Sequence, residues 1–172
     1  CNMAFRRSIV EKVGGFNEEI RYGFDEDELV ERVCRSGYRM VLDSEVIIRH
    51  KHRARLKDLL KQTFNYGRGG GLLLKKKVGG RFSTWILLTI LFSTAWLTAT
   101  SSLTLLTITL NMVFLIPLLS ITLIPLILLT LFYASRASEK KEYVQSVIYP
   151  YIDLLRLLAF YLGAIYALLN LK

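Results

Sequence analysis

Charged side chains are missing from residues 82–135, which form an uninterrupted run of 54 residues in a chain of 172. A run of that length is too long for one core helix of a soluble domain. A membrane-spanning helix needs about 20 apolar residues, so the run accommodates two spans joined by a short turn. This absence of charge excludes a wholly soluble protein and indicates a membrane protein before any motif is considered.

Cysteine and histidine are scarce, with two of each in the chain. Cys1 and Cys34 form no C-x-x-C pair and have no metal-type spacing with the histidines, which argues against a cysteine-ligated metal site. Cys34 falls on the apolar side of a predicted helix, so we expect it to pack in the core. The chain opens on Cys1 in the middle of a pattern, without a signal peptide, and we interpret it as the C-terminal piece of a longer chain.

Acidic residues are fewer than basic ones, and the excess of positive charge precedes the uncharged run. The whole chain carries +9, and residues 1–81 alone carry +7. Apolar periodicity divides this basic part into short elements. It predicts helices at 6–16 and 25–37, β-like segments at 38–43 and 45–50, and an amphipathic basic helix at 53–67.

The first predicted helix carries signals at both ends. Ser8 and Glu11 have the Ser-x-x-Glu spacing of a capping box, in which each side chain binds a free backbone N–H of the first turn. Gly14 and Gly15 predict its end, because glycine adopts the left-handed conformation at little cost. Gly37 predicts the end of the second helix in the same way.

The amphipathic helix at 53–67 has two interpretations, and both stay open. Leu56, Leu60 and Phe64 contribute to an apolar stripe that basic residues flank. This composition suits a helix lying on an anionic membrane surface. It also suits a helix packed on the domain with its basic side in solvent. Residues 71–81 follow as a basic linker that we expect to be flexible.

Residues 82–172 are predicted to form a membrane region. Pro117 and Pro125 interrupt the second span, which a membrane helix tolerates where neighbouring groups satisfy the freed carbonyl. Asp153 and Arg156 stand three residues apart, close enough to pair on one helix face. The predicted spans cover residues 85–105, 112–133 and 151–171, and the third could instead lie in the interface.

Basic residues flank the first two spans at their outer ends. One group lies within residues 75–81, before the first span, and the other lies within residues 136–141, after the second. Both groups therefore fall on one side of a two-span hairpin, which the positive-inside rule assigns to the cytoplasm. The sequence predicts a multi-pass protein of the plasma membrane with residues 1–81 on the cytoplasmic side.

Four adjacent acids, Asp25, Glu26, Asp27 and Glu28, open the second predicted helix. The helix dipole favours negative charge there, by about 0.3–1 kcal/mol for each acid. Two acids would suffice for that purpose, and four repel each other. The four acids therefore have two possible functions in addition to helix capping. One is a D-x-D metal site for magnesium or manganese, and the other is a general base that accepts a proton from a hydroxyl.

Four stretches in residues 1 to 70 carry a family resemblance: CNMAFRRSIVEKVGGF, DEDELVERVCRSGYRM, EVIIRHKHR and FNYGRG. Their order and spacing resemble the C-terminal half of a family 2 glycosyltransferase. In that family FRR and Gly-Gly-Phe precede an acidic pair, then a helix ending in Gly-Tyr-Arg, then a strand closing on His. The matching residues here are Asn2, Phe5, Arg6, Arg7, Gly14, Gly15, Phe16, Gly37, Tyr38, Arg39 and His50.

The resemblance implies a fold and a reaction. Residues 1–70 would form the C-terminal part of an α/β catalytic domain of the GT-A nucleotide-diphospho-sugar transferase type, followed by two to three transmembrane helices. The implied reaction transfers a sugar from a nucleotide-sugar donor to a lipid-linked or polysaccharide acceptor with inversion, aided by Mg or Mn whose main ligands would lie upstream of Cys1. The donor-binding strands would lie upstream of Cys1, so we expect the fragment alone to be inactive.

The resemblance also implies site residues. In the family the Asp of a Glu-Asp pair is the catalytic base. Counting back from Gly37 places this pair on Asp25-Glu26 in reverse order, whereas a shift by one residue gives Glu26-Asp27. The catalytic prediction therefore covers Asp25, Glu26 and Asp27. Substrate contacts are predicted for Asn2, Arg6, Arg7, Glu28, Arg53, Gln62 and Arg68, and metal contacts for His50 and His52.

A non-enzymatic alternative explains the charge and the spans. The chain could be a membrane-anchored module whose basic cytoplasmic domain binds anionic lipid or a partner protein. That interpretation leaves the acidic cluster, the FRR and Gly-Gly-Phe motifs and the paired histidines unexplained. A nucleic-acid partner is not expected, because the basic groups cluster beside the membrane spans.

Overall fold

The computed structural model describes residues 2–50, 55–77, 80–140 and 143–170. The chain divides into two compact units, one formed by Cys1–Leu87 with Ala159–Lys172 and the other by Leu88–Leu158. We call them the first and the second unit. The described helices are α1 (Arg7–Lys12), α2 (Asp25–Arg35), α3 (Leu56–Lys75), α4 (Arg81–Thr109), α5 (Leu115–Lys140) and α6 (Tyr143–Asn170), with a 3₁₀ turn at Met112–Phe114.

The predicted α/β GT-A fold is wrong, because the residues that the structure describes contain helices and no β-strand. Residues 38–50 have the alternating apolar pattern of strands, yet they form no strand with another described segment. A strand forms only when a neighbouring strand satisfies its N–H and C=O groups. Val41 and Leu42 are instead 85% and 97% exposed.

Glycine ends α1 and α2 as predicted, through the same hydrogen-bond pattern. After α1, Gly14 N–H donates to Glu11 O and Gly15 N–H donates to Val10 O. Gly14, Gly15 and Gly37 all have positive φ angles, of 87°, 73° and 87°. This left-handed geometry satisfies helix carbonyls that would otherwise lack a donor.

Two details of these helices differ from the prediction. The capping box is absent because α1 begins at Arg7, which places Ser8 inside the helix, and Glu11 pairs with Arg7 at 2.7 Å. Cys34 is exposed rather than part of the core. The buried face of α2 carries Glu28, Leu29 and Val33, and one residue further along a helix the side chain points about 100° away from that face.

Helix α3 continues to Lys75 through four glycines, so the predicted flexible linker begins later than expected. Gly67 and Gly71 pack directly on the backbone of α6: a Cβ on Gly67 would overlap the carbonyl oxygen of Phe160, and one on Gly71 would lie 2.5 Å from Ala164 O. Small residues four apart allow two helices this close an approach. The intrinsic cost of glycine in a helix is thus offset by contact with α6.

Within the described part of the chain, three helices are long and apolar enough to cross a membrane: Arg81–Thr109, Met112–Arg136 and Val144–Asn170. They contain the predicted spans 85–105 and 112–133 and residues 151–170 of the third, and the predicted turn falls at residues 110–111, where α4 has ended. Asp153 and Arg156 form the expected pair, at 3.0 Å. The Tyr133 hydroxyl also donates to Asp153. The cytoplasmic orientation of residues 1–81 stays a prediction.

In the second unit, a cross-helix hydrogen bond compensates for Pro125 within α5. Proline has no N–H, so the carbonyl four residues earlier, at Ile121, loses its helical donor. The indole N–H of Trp96 on α4 donates to that carbonyl at 3.1 Å. This is the kind of neighbouring group that the sequence analysis requires for a proline inside a span.

Replacing Trp96 by phenylalanine should destabilise the second unit by about 1 kcal/mol, because the Ile121 carbonyl loses its donor in an apolar environment. Thermal unfolding in detergent measures the effect. In a Pro125→Ala background the backbone N–H of residue 125 can serve Ile121, so the same substitution should then cost much less. Equal costs in both backgrounds would contradict this explanation.

Candidate active site

A polar cavity of about 430 Å³ lies in the first unit, between α3 and the segment that leads into α2. One wall comes from the loop before α2 and from its first two residues. The other comes from the N-terminal half of α3. The residues that line the cavity are Tyr22, Gly23, Asp25, Glu26, Asp58, Lys61, Gln62, Asn65 and Tyr66.

The loop into α2 has three consecutive residues with positive φ: Tyr22 at 76°, Gly23 at 123° and Phe24 at 72°. This conformation is strained for tyrosine and phenylalanine, and such strain persists where surrounding contacts impose it. A Cβ on Gly23 would overlap the ring of Tyr66, and one on Gly69 would lie 2.5 Å from Gly23 O. The loop therefore lies directly on α3 and brings the start of α2 to the cavity.

The four adjacent acids have different surroundings. Asp25 and Glu26 line the cavity, whereas Asp27 and Glu28 do not. Glu28 is buried and paired with Arg32, with a nitrogen–oxygen distance of 2.6 Å. The Arg32 guanidinium also donates to the carbonyls of Val13 and Gly15, at 2.5 and 2.6 Å. Glu28 and Arg32 thus fix α2 to the end of α1, a role that the sequence analysis did not foresee.

Asp27 is half-buried, and this burial raises the pKa of its carboxyl above the ordinary value, with a further contribution from the charge of Asp25. A carboxyl with a higher pKa in the folded state binds more protons there than in the unfolded chain. Stability then decreases as the pH rises through the ordinary pKa range. At neutral pH the charged form of Asp27 therefore opposes folding.

Replacing Asp27 by asparagine should raise the thermal unfolding midpoint at pH 7, because the amide has no charge to desolvate. The advantage should disappear as the pH falls below the ordinary carboxyl range, where Asp27 itself is protonated. Unfolding in detergent across this pH range measures it. Asp43→Asn, at an exposed position outside the cavity, serves as the control and should show no such trend. A lower midpoint for the Asp27 variant at pH 7 would contradict the prediction.

Helix α3 supplies the cavity residues that the sequence analysis missed. Asp58, Lys61, Gln62 and Asn65 recur at i, i+3, i+4 and i+7, which places them on one face. Of this face, only Gln62 is among the predicted site residues, because the sequence prediction for this helix rests on its apolar stripe and flanking charges. The polar periodicity was a usable signal. Gln62 Nε2 donates to the Tyr66 hydroxyl at 3.2 Å.

Arg68 lies beside the cavity and is not one of its lining residues. Its guanidinium stacks on the ring of Tyr22 at 3.6 Å and lies 5.4 Å from the ring of Tyr166. Its Nε is buried and has no hydrogen-bond partner. Arg68 thus supports a cavity wall through Tyr22, and its predicted phosphate contact stays a prediction.

Asn2, Arg6 and Arg7, which are also predicted to bind substrate, lie outside the cavity lining. Asn2 Nδ2 donates to the Val46 carbonyl at 3.3 Å. Arg6 is exposed at the start of α1, and Arg7 is paired with Glu11. The predicted substrate contact of Arg53 falls outside the described residues.

The predicted magnesium or manganese ion has no matching ligand set in the described part of the chain. Among those residues, no group of three His, Cys, Asp or Glu side chains is arranged to hold a metal ion. His50 lies in the exposed extended segment, and His52 falls outside the described residues.

The comparisons with known proteins identify the family. The family model described as Glycosyl transferase family group 2 matches residues 1–135, which include α1 to α3 and most of the first two membrane-capable helices. No curated protein and no solved structure matches the chain. Because the family model covers well over half of the chain, this protein belongs to glycosyl transferase family group 2.

Proposed function

We propose that this protein is a membrane-anchored glycosyltransferase that moves a sugar from a nucleotide-sugar donor to a hydroxyl of a lipid-linked or glycan acceptor. The observation that carries the proposal is the polar cavity, which Asp25 and Glu26 border at the positively polarised end of α2. Because the protein belongs to a glycosyltransferase family, we assign this pair of acids a role in sugar transfer.

Glu26 is the general base in this proposal. It lines the cavity and is one of the two acids on which the family's acidic pair falls when counted from Gly37. Asp27, which the shift by one residue makes a candidate as well, is half-buried beside the cavity and does not line it. A base must come within hydrogen-bond reach of the proton that it removes, which favours Glu26.

The reaction is a single displacement. The Glu26 carboxylate takes the proton of an acceptor hydroxyl as that oxygen forms a bond to the anomeric carbon of the donor. The bond from this carbon to the nucleoside diphosphate breaks, and the diphosphate leaves with the electron pair. Attack from the side opposite the leaving group inverts the anomeric configuration.

The membrane helices hold this chemistry at the bilayer. We place the first 81 residues on the cytoplasmic side of the plasma membrane, as the distribution of basic residues predicts. Lys75 and Lys77, at and just after the end of α3, would attract anionic headgroups by about 1 kcal/mol each, whereas Lys76 is paired with Glu19 at 3.2 Å. A lipid-linked acceptor would then reach the cavity from the adjacent bilayer surface.

The test uses the complete polypeptide as the cell makes it, reconstituted in liposomes and supplied with a panel of nucleotide sugars, with and without manganese. We expect transfer from one donor class to a lipid extract, and NMR of the product should show the inverted anomer. Absence of transfer and of donor hydrolysis, together with tight binding to anionic vesicles, would favour the non-catalytic membrane module.

A further inference from the structure

We propose that the polar cavity binds the acceptor sugar, that it takes neutral or amino sugars, and that Asp58 is a specificity-determining residue. This inference rests on the proposed function and deepens it. The cavity would receive neither the diphosphate of the donor nor an acceptor sugar that carries a carboxylate.

The negative charge of the cavity lining favours ligands that carry no negative charge. The lining contains three carboxylates, Asp25, Glu26 and Asp58, and one ammonium group, Lys61. Its formal charge is therefore −2 in a space of about 430 Å³. Like charges a few ångströms apart in a partly enclosed site repel much more strongly than in bulk water. A diphosphate or a uronic acid would meet that repulsion, whereas a neutral or protonated amino sugar would not.

Hydrogen bonding is the second argument. Carboxylates accept hydrogen bonds from sugar hydroxyls, and amide side chains both donate and accept. The cavity presents Asp58, Gln62 and Asn65 on one helical face, opposite Glu26. Asp58 and Asn65 stand two turns apart on α3, about 10 Å along the helix axis, which suits contacts with several hydroxyls of one ring. Glu26 then remains for the hydroxyl that reacts.

The aromatic walls are the third argument. Tyr22 and Tyr66 border the cavity and provide apolar faces beside the polar groups. A sugar ring also combines apolar C–H faces with polar edges, and sites for such ligands mix aromatic walls with a few placed polar groups. The bond from Gln62 to the Tyr66 hydroxyl restrains one of these walls.

The experiment measures binding of four probes to the reconstituted protein by saturation-transfer NMR. The probes are a neutral methyl glycoside, its amino analogue, its uronic acid analogue and inorganic pyrophosphate. We expect the neutral and amino sugars to bind, the uronic acid to bind at least about 10-fold more weakly, and pyrophosphate not to compete with the neutral sugar. A tenfold ratio corresponds to about 1.4 kcal/mol.

Two substitutions shift the cavity charge in opposite directions. Asp58→Asn lowers the negative charge and removes an acceptor, so it should weaken binding of the neutral sugar about 10-fold and reduce the discrimination against the uronic acid. Lys61→Gln raises the negative charge and should increase that discrimination. Asp43→Asn is the control, outside the cavity. Thermal unfolding establishes that each variant is folded. If one variant does not fold, the other still tests the proposal, because each has its own expected change in discrimination against the uronic acid.

Kinetics separate this inference from the proposed function. In a transfer assay Asp58→Asn should raise KM for the acceptor more than it lowers kcat, because the residue holds the sugar without taking the proton. Sugar binding with the expected charge order, but no transfer from any donor, would support the cavity assignment and refute the transferase proposal. Equal binding of the uronic acid and the neutral sugar, or an unchanged acceptor KM, would overturn the cavity assignment alone.

Discussion

Replacing Glu26 by glutamine is expected to lower kcat for sugar transfer at least about 100-fold, because a positioned general base contributes about 10²–10⁴ in rate. Glutamine has nearly the same shape and keeps a hydrogen-bond acceptor in the cavity, so acceptor binding should change little. It lacks the basicity to take a proton from the attacking hydroxyl. The measurement is kcat and acceptor KM for the complete polypeptide in liposomes.

The neighbouring acid gives a matched comparison. Asp27→Asn alters a carboxyl one residue away that does not line the cavity, so it should leave transfer close to that of the unmodified protein. A large loss with Asp27→Asn and near-normal turnover with Glu26→Gln would move the base to Asp27. Near-normal turnover in both variants would exclude both Glu26 and Asp27 as the general base.

Local patterns predicted the membrane part of this protein well. The uncharged run locates two spans because a transmembrane helix depends on its own composition and length more than on distant contacts. The glycines at 14–15 and 37 likewise end their helices through bonds that stay within a few residues. Properties that a short segment determines by itself can be inferred from the sequence.

Contacts between distant segments explain what the sequence analysis got wrong. Gly71 was predicted to open a flexible linker, but it is helical together with Gly67, Gly69 and Gly70, because α6 packs on this part of α3 from about 90 residues later. The apolar alternation at 38–50 suggests strands, but a strand requires a pairing partner that the described chain does not provide.

The cavity contains some residues that local sequence patterns predicted and others that only contacts between distant segments bring to it. Asp25 and Glu26 were candidates from the sequence because they are adjacent acids at a helix start. Asp58 and Asn65 were missed although they recur on one face of α3 with Lys61 and Gln62, because that periodicity does not show which segment the face meets. They face those acids only because the loop at residues 21–24 lies on α3, with Gly23 and Gly69 in close approach.

The packing of α6 on α3 leads to the second prediction, at Gly163. A Cβ at this position would overlap the carbonyl oxygen of Phe64 and lie 3.1 Å from the backbone nitrogen of Arg68. Lys75 adds a hydrogen bond from its Nζ to the Leu168 carbonyl, at 3.0 Å. Neither backbone group can move without shifting α3, which carries Gln62, Asn65 and Tyr66 at the cavity. Residues 160–168 lie beyond the range that the family model matches, yet they support this helix.

Replacing Gly163 by valine should therefore separate the two helices and destabilise the first unit by about 1–3 kcal/mol, the usual cost of inserting side-chain volume into a packed interface. Acceptor KM should rise together with the loss of stability, because the displaced α3 carries one wall of the cavity. Leu162→Val, at the adjacent and half-exposed position, introduces the same β-branched residue without that overlap and should change both quantities much less. An unfolding midpoint and an acceptor KM that match those of the unmodified protein would contradict a supporting role for α6. Thermal unfolding in detergent and the transfer assay in liposomes, carried out on the same preparations, provide both measurements.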